Sequence, residues 1–186
     1  MLTDPTFFQG SLQDLKQARE ATRLPVLRKD FIISTYQIYE AVAWGADAVL
    51  LIVRALSKEF LRTSLELCRE LEIDALVEIH SEQELEEATL AGAKLIGINN
   101  RDLTSFQTDI QTSIRLARGL KAGQTAVAES GIHEREQVER LLNAGIWNFL
   151  IGEGLVRAAD PEALLKALLA VCPNLSSSRC ERGTAQ

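Results

Sequence analysis

The sequence predicts an α/β fold of parallel strands and covering helices, wound as a (β/α) barrel wall. Six short apolar runs, at residues 24–29, 48–54, 75–78, 95–99, 126–129 and 149–152, each end on a polar, charged or glycine residue. Helical patterns fill every gap between them, and parallel neighbours need such a long crossover. A repeated helix–glycine–strand unit is the second observation. Residues 40–47 (Glu-Ala-Val-Ala-Trp-Gly-Ala-Asp), 87–94 (Glu-Ala-Thr-Leu-Ala-Gly-Ala-Lys) and 139–146 (Glu-Arg-Leu-Leu-Asn-Ala-Gly-Ile) each lead into one of the runs. Third, a strand interior such as Val49-Leu-Leu-Ile-Val53 is apolar at consecutive positions, which suits strands covered on both faces. An open doubly wound sheet shares that pattern, but its dinucleotide signal, GxGxxG after the first strand, is absent.

Helix boundaries are legible in order along the chain. Gly45, Gly92 and Gly145 stand where a left-handed C-cap would close a helix before the next strand. Ser57 opens an amphipathic stretch to about residue 71, with Cys68 inside it as a small core residue. Ser81-Glu-Gln-Glu84 reads as a capping box in which the two side chains satisfy orphan N–H groups reciprocally. Asp160-Pro161 is an N-cap with proline at the first helical position, opening a last helix to about residue 171. Residues 1–172 thus read as a partial (β/α) barrel carrying the catalytic residues. Residues 173–186 lack apolar periodicity and read as a disordered polar tail.

Composition narrows the function classes. The chain has 186 residues, 46% hydrophobic and 25% charged, with a net charge of −6. Lys and Arg are dispersed rather than gathered in a stripe, which argues against a nucleic-acid surface. No apolar stretch reaches a membrane span and Met1 opens no signal peptide, so the cytoplasm is the expected location. His80 and His133 have neither HExxH spacing nor cysteine companions, and no metal or other cofactor is expected. Cys172 and Cys180 form no CxxC pair.

Parallel strands deliver all six run ends to one edge of the sheet, so Lys29, Glu78, Asn99 and Glu129 should converge on one cavity. A lysine aimed into a partly dry cavity can act as a proton donor near neutrality. Glu78 interrupts an apolar run, which suits a base or counter-charge; a purely structural Lys–Glu pair fits equally. Asn99 and Arg101 suit recognition of a substrate carboxylate, although Arg101 also reads as a solvated loop charge. Glu129-Ser130-Gly131 and Gly152-Glu153-Gly154 place glycines after the last two runs, where backbone N–H groups can approach a phosphate. The alternative for Gly131 and Gly152 is a tight turn and nothing more.

These residues resemble a known family. Leu2-Thr-Asp-Pro-Thr-Phe-Phe-Gln-Gly-Ser11, Pro25-Val-Leu-Arg-Lys-Asp-Phe-Ile32, Gly45-Ala-Asp-Ala-Val-Leu-Leu-Ile52, Val77-Glu-Ile-His80, Gly97-Ile-Asn-Asn-Arg-Asp-Leu103, Ala128-Glu-Ser-Gly-Ile132 and Phe149-Leu-Ile-Gly152 are similar, in order and spacing, to indole-3-glycerol phosphate synthase. The resemblance implies a (β/α)8 TIM barrel, here incomplete with about six full β/α units; an eight-unit barrel typically takes about 250 residues. It implies conversion of 1-(2-carboxyphenylamino)-1-deoxyribulose 5-phosphate to indole-3-glycerol phosphate, with loss of CO2 and water and without metal or organic cofactor. By position, Lys29 resembles the general acid, Glu78 the base that helps expel water, Asn99 the orienting amide and Glu129 an acidic partner. Phe8 and Phe31 resemble the aromatic walls around the substrate ring, with Arg101 beside it. Ser130, Gly131, Gly152 and Glu153 lie at phosphate-binding positions; Glu153 replaces a serine common there and is expected to offer only its backbone N–H.

The resemblance also implies a segment ahead of Met1 that holds the first strand, most of the second, and a Glu-x-Lys-x-x-Ser-Pro motif found nowhere in this chain. One expectation is a valine codon read as the start, since Met1 stands where the family has valine. A second is an impaired fragment or remnant that keeps its phosphate grip. Such a chain would associate through exposed barrel edges or with a complementing N-terminal segment. A related barrel enzyme acting on another phosphorylated small molecule is a third.

Overall fold

The computed structural model of the protein describes residues 1–102 and 105–170. The first half runs α1 (Leu12–Ala21), β1 (Leu27–Arg28), α2 (Thr35–Ala43), β2 (Ala48–Ile52), α3 (Lys58–Glu70) and β3 (Asp74–Ile79). The second half runs α4 (Glu82–Leu90), β4 (Leu95–Asn99), α5 (Gln111–Ala117), β5 (Thr125–Glu129), α6 (Arg135–Asn143), β6 (Asn148–Leu150), α7 (Glu153–Arg157) and α8 (Pro161–Leu169). A short 3-10 turn, Val53–Ala55, follows β2.

All six strands pair in parallel, in sequence order from β1 to β6. A doubly wound sheet reverses its strand order at a switch point. None occurs among the described residues, and the sheet curls as a half-barrel of six strands. Period-two alternation sorts the side chains. Val49, Leu51, Val77, Ile79, Ile96 and Ile98 face outward into the main core, against Ile38, Leu61, Leu65, Cys68 and Leu85 from the helices. Glu78, Gly97, Asn99 and Glu129 occupy the opposite face, with Asn99 paired to Glu129 and Glu78 to Gly97 in register. A second core of Ile110, Ala128, Ile132, Val138, Leu141, Ile146 and Leu168 packs under α6 and α8.

Gly45, Gly92 and Gly145 take φ of +83°, +87° and +82°, the left-handed conformation expected of helix-terminating glycines. Ser57 accepts from Phe60 N–H at 3.2 Å, and Asp160 from Ala163 N–H at 2.9 Å, as N-caps.

Two expectations need correction. The run at 24–29 yields a strand of two residues only, because Pro25 has no N–H to give a ladder and Leu24 is exposed. Leu2 forms a parallel bridge beside Lys29, and Lys29 N–H donates to Met1 C=O at 2.8 Å, so the β1 edge is not bare there. The capping box at Ser81 is half formed. Ser81 Oγ accepts from Glu84 N–H at 3.2 Å, but Glu84 Oε2 accepts from His80 N–H at 2.7 Å. The tail at 173–186, with Cys172 and Cys180, lies outside the described residues. None of the described helices is long and apolar enough to cross a membrane.

Candidate active site

Strand ends and inward-facing alternation bring four of the sequence-predicted residues together. Lys29, just past β1, places Nζ 3.5 Å from Glu78 Oε2 and 3.7 Å from Glu129 Oε2. Asn99 Nδ2 donates to Glu78 Oε1 at 3.2 Å, and Asn99 Oδ1 accepts from Arg101 N–H at 3.0 Å. Both carboxylates are buried, whereas the Lys29 side chain is one-third exposed. The lysine therefore sits at the cavity floor with its amine between two shielded acids.

Two buried carboxylates sharing one lysine cannot both ionise freely. Burial, and then the charge of Glu78, push the Glu129 carboxyl up to about 8 against the opposing pull of Lys29. Burial and the neighbouring Glu78 charge thus favour the protonated form of Glu129. Its Oε1 has no hydrogen-bond partner among the described residues and points at Gly97. A Cβ at Gly97 would lie 2.0 Å from that oxygen, so only glycine leaves room for the Glu129 head group.

The cavity above Lys29 has a volume of about 420 Å³ and reaches Phe8, Arg101, Ser130, Gly131, Gly152 and Glu153. Ser130 and Gly131 follow β5 with φ of +64° and +71°. Thr108 seals the far side of Gly131, where a Cβ would come within 2.6 Å of the Thr108 Cβ. Asn100 Nδ2 donates to Ser130 C=O at 3.1 Å, and Asn100 Oδ1 accepts from Ser113 Oγ at 2.8 Å, which fixes the loop. Gly152 and Glu153 lie at the start of α7 on the same rim.

Arg101 and Glu153 form a close ion pair across the rim. The hydrogen bond from Arg101, then its charge and that of Arg157, hold the exposed Glu153 carboxyl below the usual carboxylate range. Phe8 lines the cavity, while Phe31 stacks on it from outside with ring centroids 5.7 Å apart and planes at 21°. Beneath Lys29, Arg28 is buried in a network of its own. Its guanidinium meets Asp30 at 3.0 Å and Glu40 at 2.9 Å, and Thr3 Oγ1 donates to Asp30 at 2.6 Å. This anchor holds the segment from which Lys29 projects.

Sequence reasoning did not single out Gly97, His133 or His80 for the site. His133 borders the cavity at its Gly154 wall. His80 Nε2 lies 3.4 Å from Glu78 Oε1. The signal for His80 was present, because residues two apart on a strand share a face.

The family model for indole-3-glycerol phosphate synthase matches residues 1–168. The chain is 62% identical to the indole-3-glycerol phosphate synthase of Syntrophobacter fumaroxidans, over 90% of this chain and 63% of that protein. It is 60% identical to the synthase of Desulfosudis oleivorans, over 91% and 64% respectively, and 51% identical to that of Carboxydothermus hydrogenoformans, over 91% and 65%. The chain thus spans less than two thirds of the length of these curated relatives. Among solved structures, the thiamine phosphate pyrophosphorylase of Pyrococcus furiosus is similar with a TM-score of 0.59, over 91% of this chain and 92% of that one. At 17% identity that likeness concerns the fold alone. The length of the family match and the identity to these relatives place the chain in the indole-3-glycerol phosphate synthase family.

Proposed function

We propose that the chain carries the catalytic centre of an indole-3-glycerol phosphate synthase acting in tryptophan biosynthesis. The substrate is 1-(2-carboxyphenylamino)-1-deoxyribulose 5-phosphate, and the products are indole-3-glycerol phosphate, CO2 and water. The observation that carries this reading is the Lys29 amine held between Glu78 and Glu129 at the floor of a cavity rimmed by glycine loops. The Lys29 ammonium protonates the ketone oxygen as the aromatic ring attacks the carbonyl carbon. CO2 then leaves the ring, and Glu78 accepts a proton from carbon as water is expelled. Asn99 fixes the Glu78 carboxylate by its amide hydrogen bond. Glu129 stays neutral beside Lys29, so that one carboxylate and not two faces the anionic substrate.

Backbone N–H groups of Ser130, Gly131, Gly152 and Glu153 are suited to the phosphate, and Arg101 to the substrate carboxylate. Phe8, backed by Phe31, supports the ring. A second reading is binding without turnover. The open sheet favours it, since β1 and β6 do not pair among the described residues. In it, a segment or a second copy covering those edges completes the site.

The test is growth of indole fluorescence when the purified chain meets the substrate. Signal that disappears in Lys29→Ala supports the synthase reading. A folded chain that binds inorganic phosphate without producing signal supports the second.

A further inference from the structure

The turn after β5 carries two left-handed residues in succession, Ser130 at φ +64° and Gly131 at φ +71°. Glycine takes that conformation freely. In serine it crowds Cβ against the following carbonyl oxygen, and it persists only where the surroundings impose it. Successive left-handed residues turn their N–H groups to one side, as the first turn of a helix does. The N–H groups of Gly131 and Ile132, which both line the cavity, meet no acceptor among the described residues. The next two are engaged, since His133 N–H and Glu134 N–H donate to Gln137 Oε1 at 2.7 and 3.0 Å.

The clamp on this turn comes from the segment after β4. Asn100 is 3% exposed and Ser113, on α5, is fully buried. Ser113 N–H donates to Asn100 Oδ1 at 3.0 Å, and a backbone N–H is a donor only, so this contact fixes which end of the amide is oxygen. The Nδ2 group then faces Ser130 C=O, to which it donates at 3.1 Å. Asn100 N–H also donates to Glu129 C=O at 2.9 Å. These two carbonyls belong to the peptide planes on either side of the Ser130 α-carbon. Holding both planes sets φ and ψ of Ser130.

We propose that Asn100 is a positioning residue that sets the affinity for the substrate phosphate by holding Ser130 in the left-handed conformation. This rests on the synthase reading, in which the Ser130–Gly131 turn receives the phosphate. Asn100 touches neither the phosphate nor the reacting atoms. It acts through the direction in which the Gly131 and Ile132 N–H groups point. Ser113 acts one step further back, because it keeps the Asn100 amide from turning over. Thr108, from the same segment, closes against Gly131 and limits the turn from its other side. Without the clamp, Ser130 relaxes to negative φ and the two N–H groups diverge, while the catalytic Lys29, Glu78 and Asn99 keep their own contacts.

Calorimetric titration of the full chain with inorganic phosphate, at low ionic strength, tests this as a double-mutant cycle. Asn100→Ala should weaken phosphate about tenfold in the native background. In a Ser130→Gly background the same change should cost less than about threefold, because glycine holds the turn without a clamp. Phosphate binding that Asn100→Ala leaves unchanged, or that it weakens equally in both backgrounds, overturns the proposal; equal loss marks Asn100 as general support for the fold. Should circular dichroism show Asn100→Ala unfolded, Asn100→Asp replaces it in the cycle. That variant keeps the bonds to Ser113 and turns only the donor to Ser130 into an acceptor, and its charge cancels between the two backgrounds. In turnover, Asn100→Ala should raise KM about tenfold with kcat within about twofold; a fall in kcat at unchanged KM overturns the proposal. An unaltered chain that binds no phosphate overturns it together with the phosphate role of the turn. An unaltered chain without turnover, whose phosphate cycle comes out as expected, rejects the synthase reading and upholds the role of Asn100.

Discussion

Replacing Glu129 by Gln removes a titrating group without removing its volume, and the consequence for stability is a pH slope. In the folded chain, burial and the Glu78 charge raise Glu129 from an ordinary 4.5 to about 8. Between those two values the native state holds a proton that the unfolded chain has lost. Stability therefore falls as pH rises through that window and levels off above about 8. At about 1.4 kcal/mol per pH unit, the displacement is worth at most about 5 kcal/mol. Water admitted at the exposed flank of Lys29 reduces that figure. Urea unfolding at half-unit steps from pH 5 to 8, in the native chain and in Glu129→Gln, measures it as a difference, in which titrating groups away from the Lys29–Glu78–Glu129 cluster cancel. The native chain should lose a few kcal/mol relative to the variant across this range. A difference that is flat, or that grows in favour of the native chain, refutes the burial argument.

Gly97→Ala forces the Glu129 head group out of its pocket. It should cost about 1–3 kcal/mol in urea unfolding as an overpacking change, and it should also erase the pH slope just described. Arg28→Met leaves Asp30 and Glu40 without their shared guanidinium. A loss of about 3–5 kcal/mol by thermal or urea unfolding is expected for breaking a buried ion network from one side. Glu153→Ser frees Arg101 and removes an anion from the phosphate rim. Calorimetry should find inorganic phosphate bound at least about threefold more tightly at low ionic strength, the gain fading as salt is added. Lys29→Ala should abolish indole fluorescence growth while leaving the circular dichroism spectrum of the chain in place.

The order and direction of the strands were legible because they depend on local pattern. Apolar runs, crossover helices and the glycines at 45, 92 and 145 each report their own few residues, and the fold follows from repeating them. The same pattern fixed that Lys29, Glu78, Asn99 and Glu129 share one sheet edge, since parallel strands can do nothing else with their C-terminal ends. The resemblance of the motifs to a family supplied the chemistry, and the family match covers the same residues.

What depended on distance in space was not legible. Glu84 reaches His80 rather than completing the Ser81 capping box, because the chain bends into α4 with the His80 N–H turned toward it. Glu153 was expected to offer only its backbone. Its carboxylate instead crosses the rim to Arg101, which is 52 positions earlier in the chain. The protonated state of Glu129 rests on the absence of a side chain at Gly97 and on a second carboxylate brought in by another strand. Sequence alone determined that Lys29, Glu78, Asn99 and Glu129 stand at one edge of the sheet. Burial and through-space charge, which exist only once the strands are side by side, decided which of them are ionised and what each one faces.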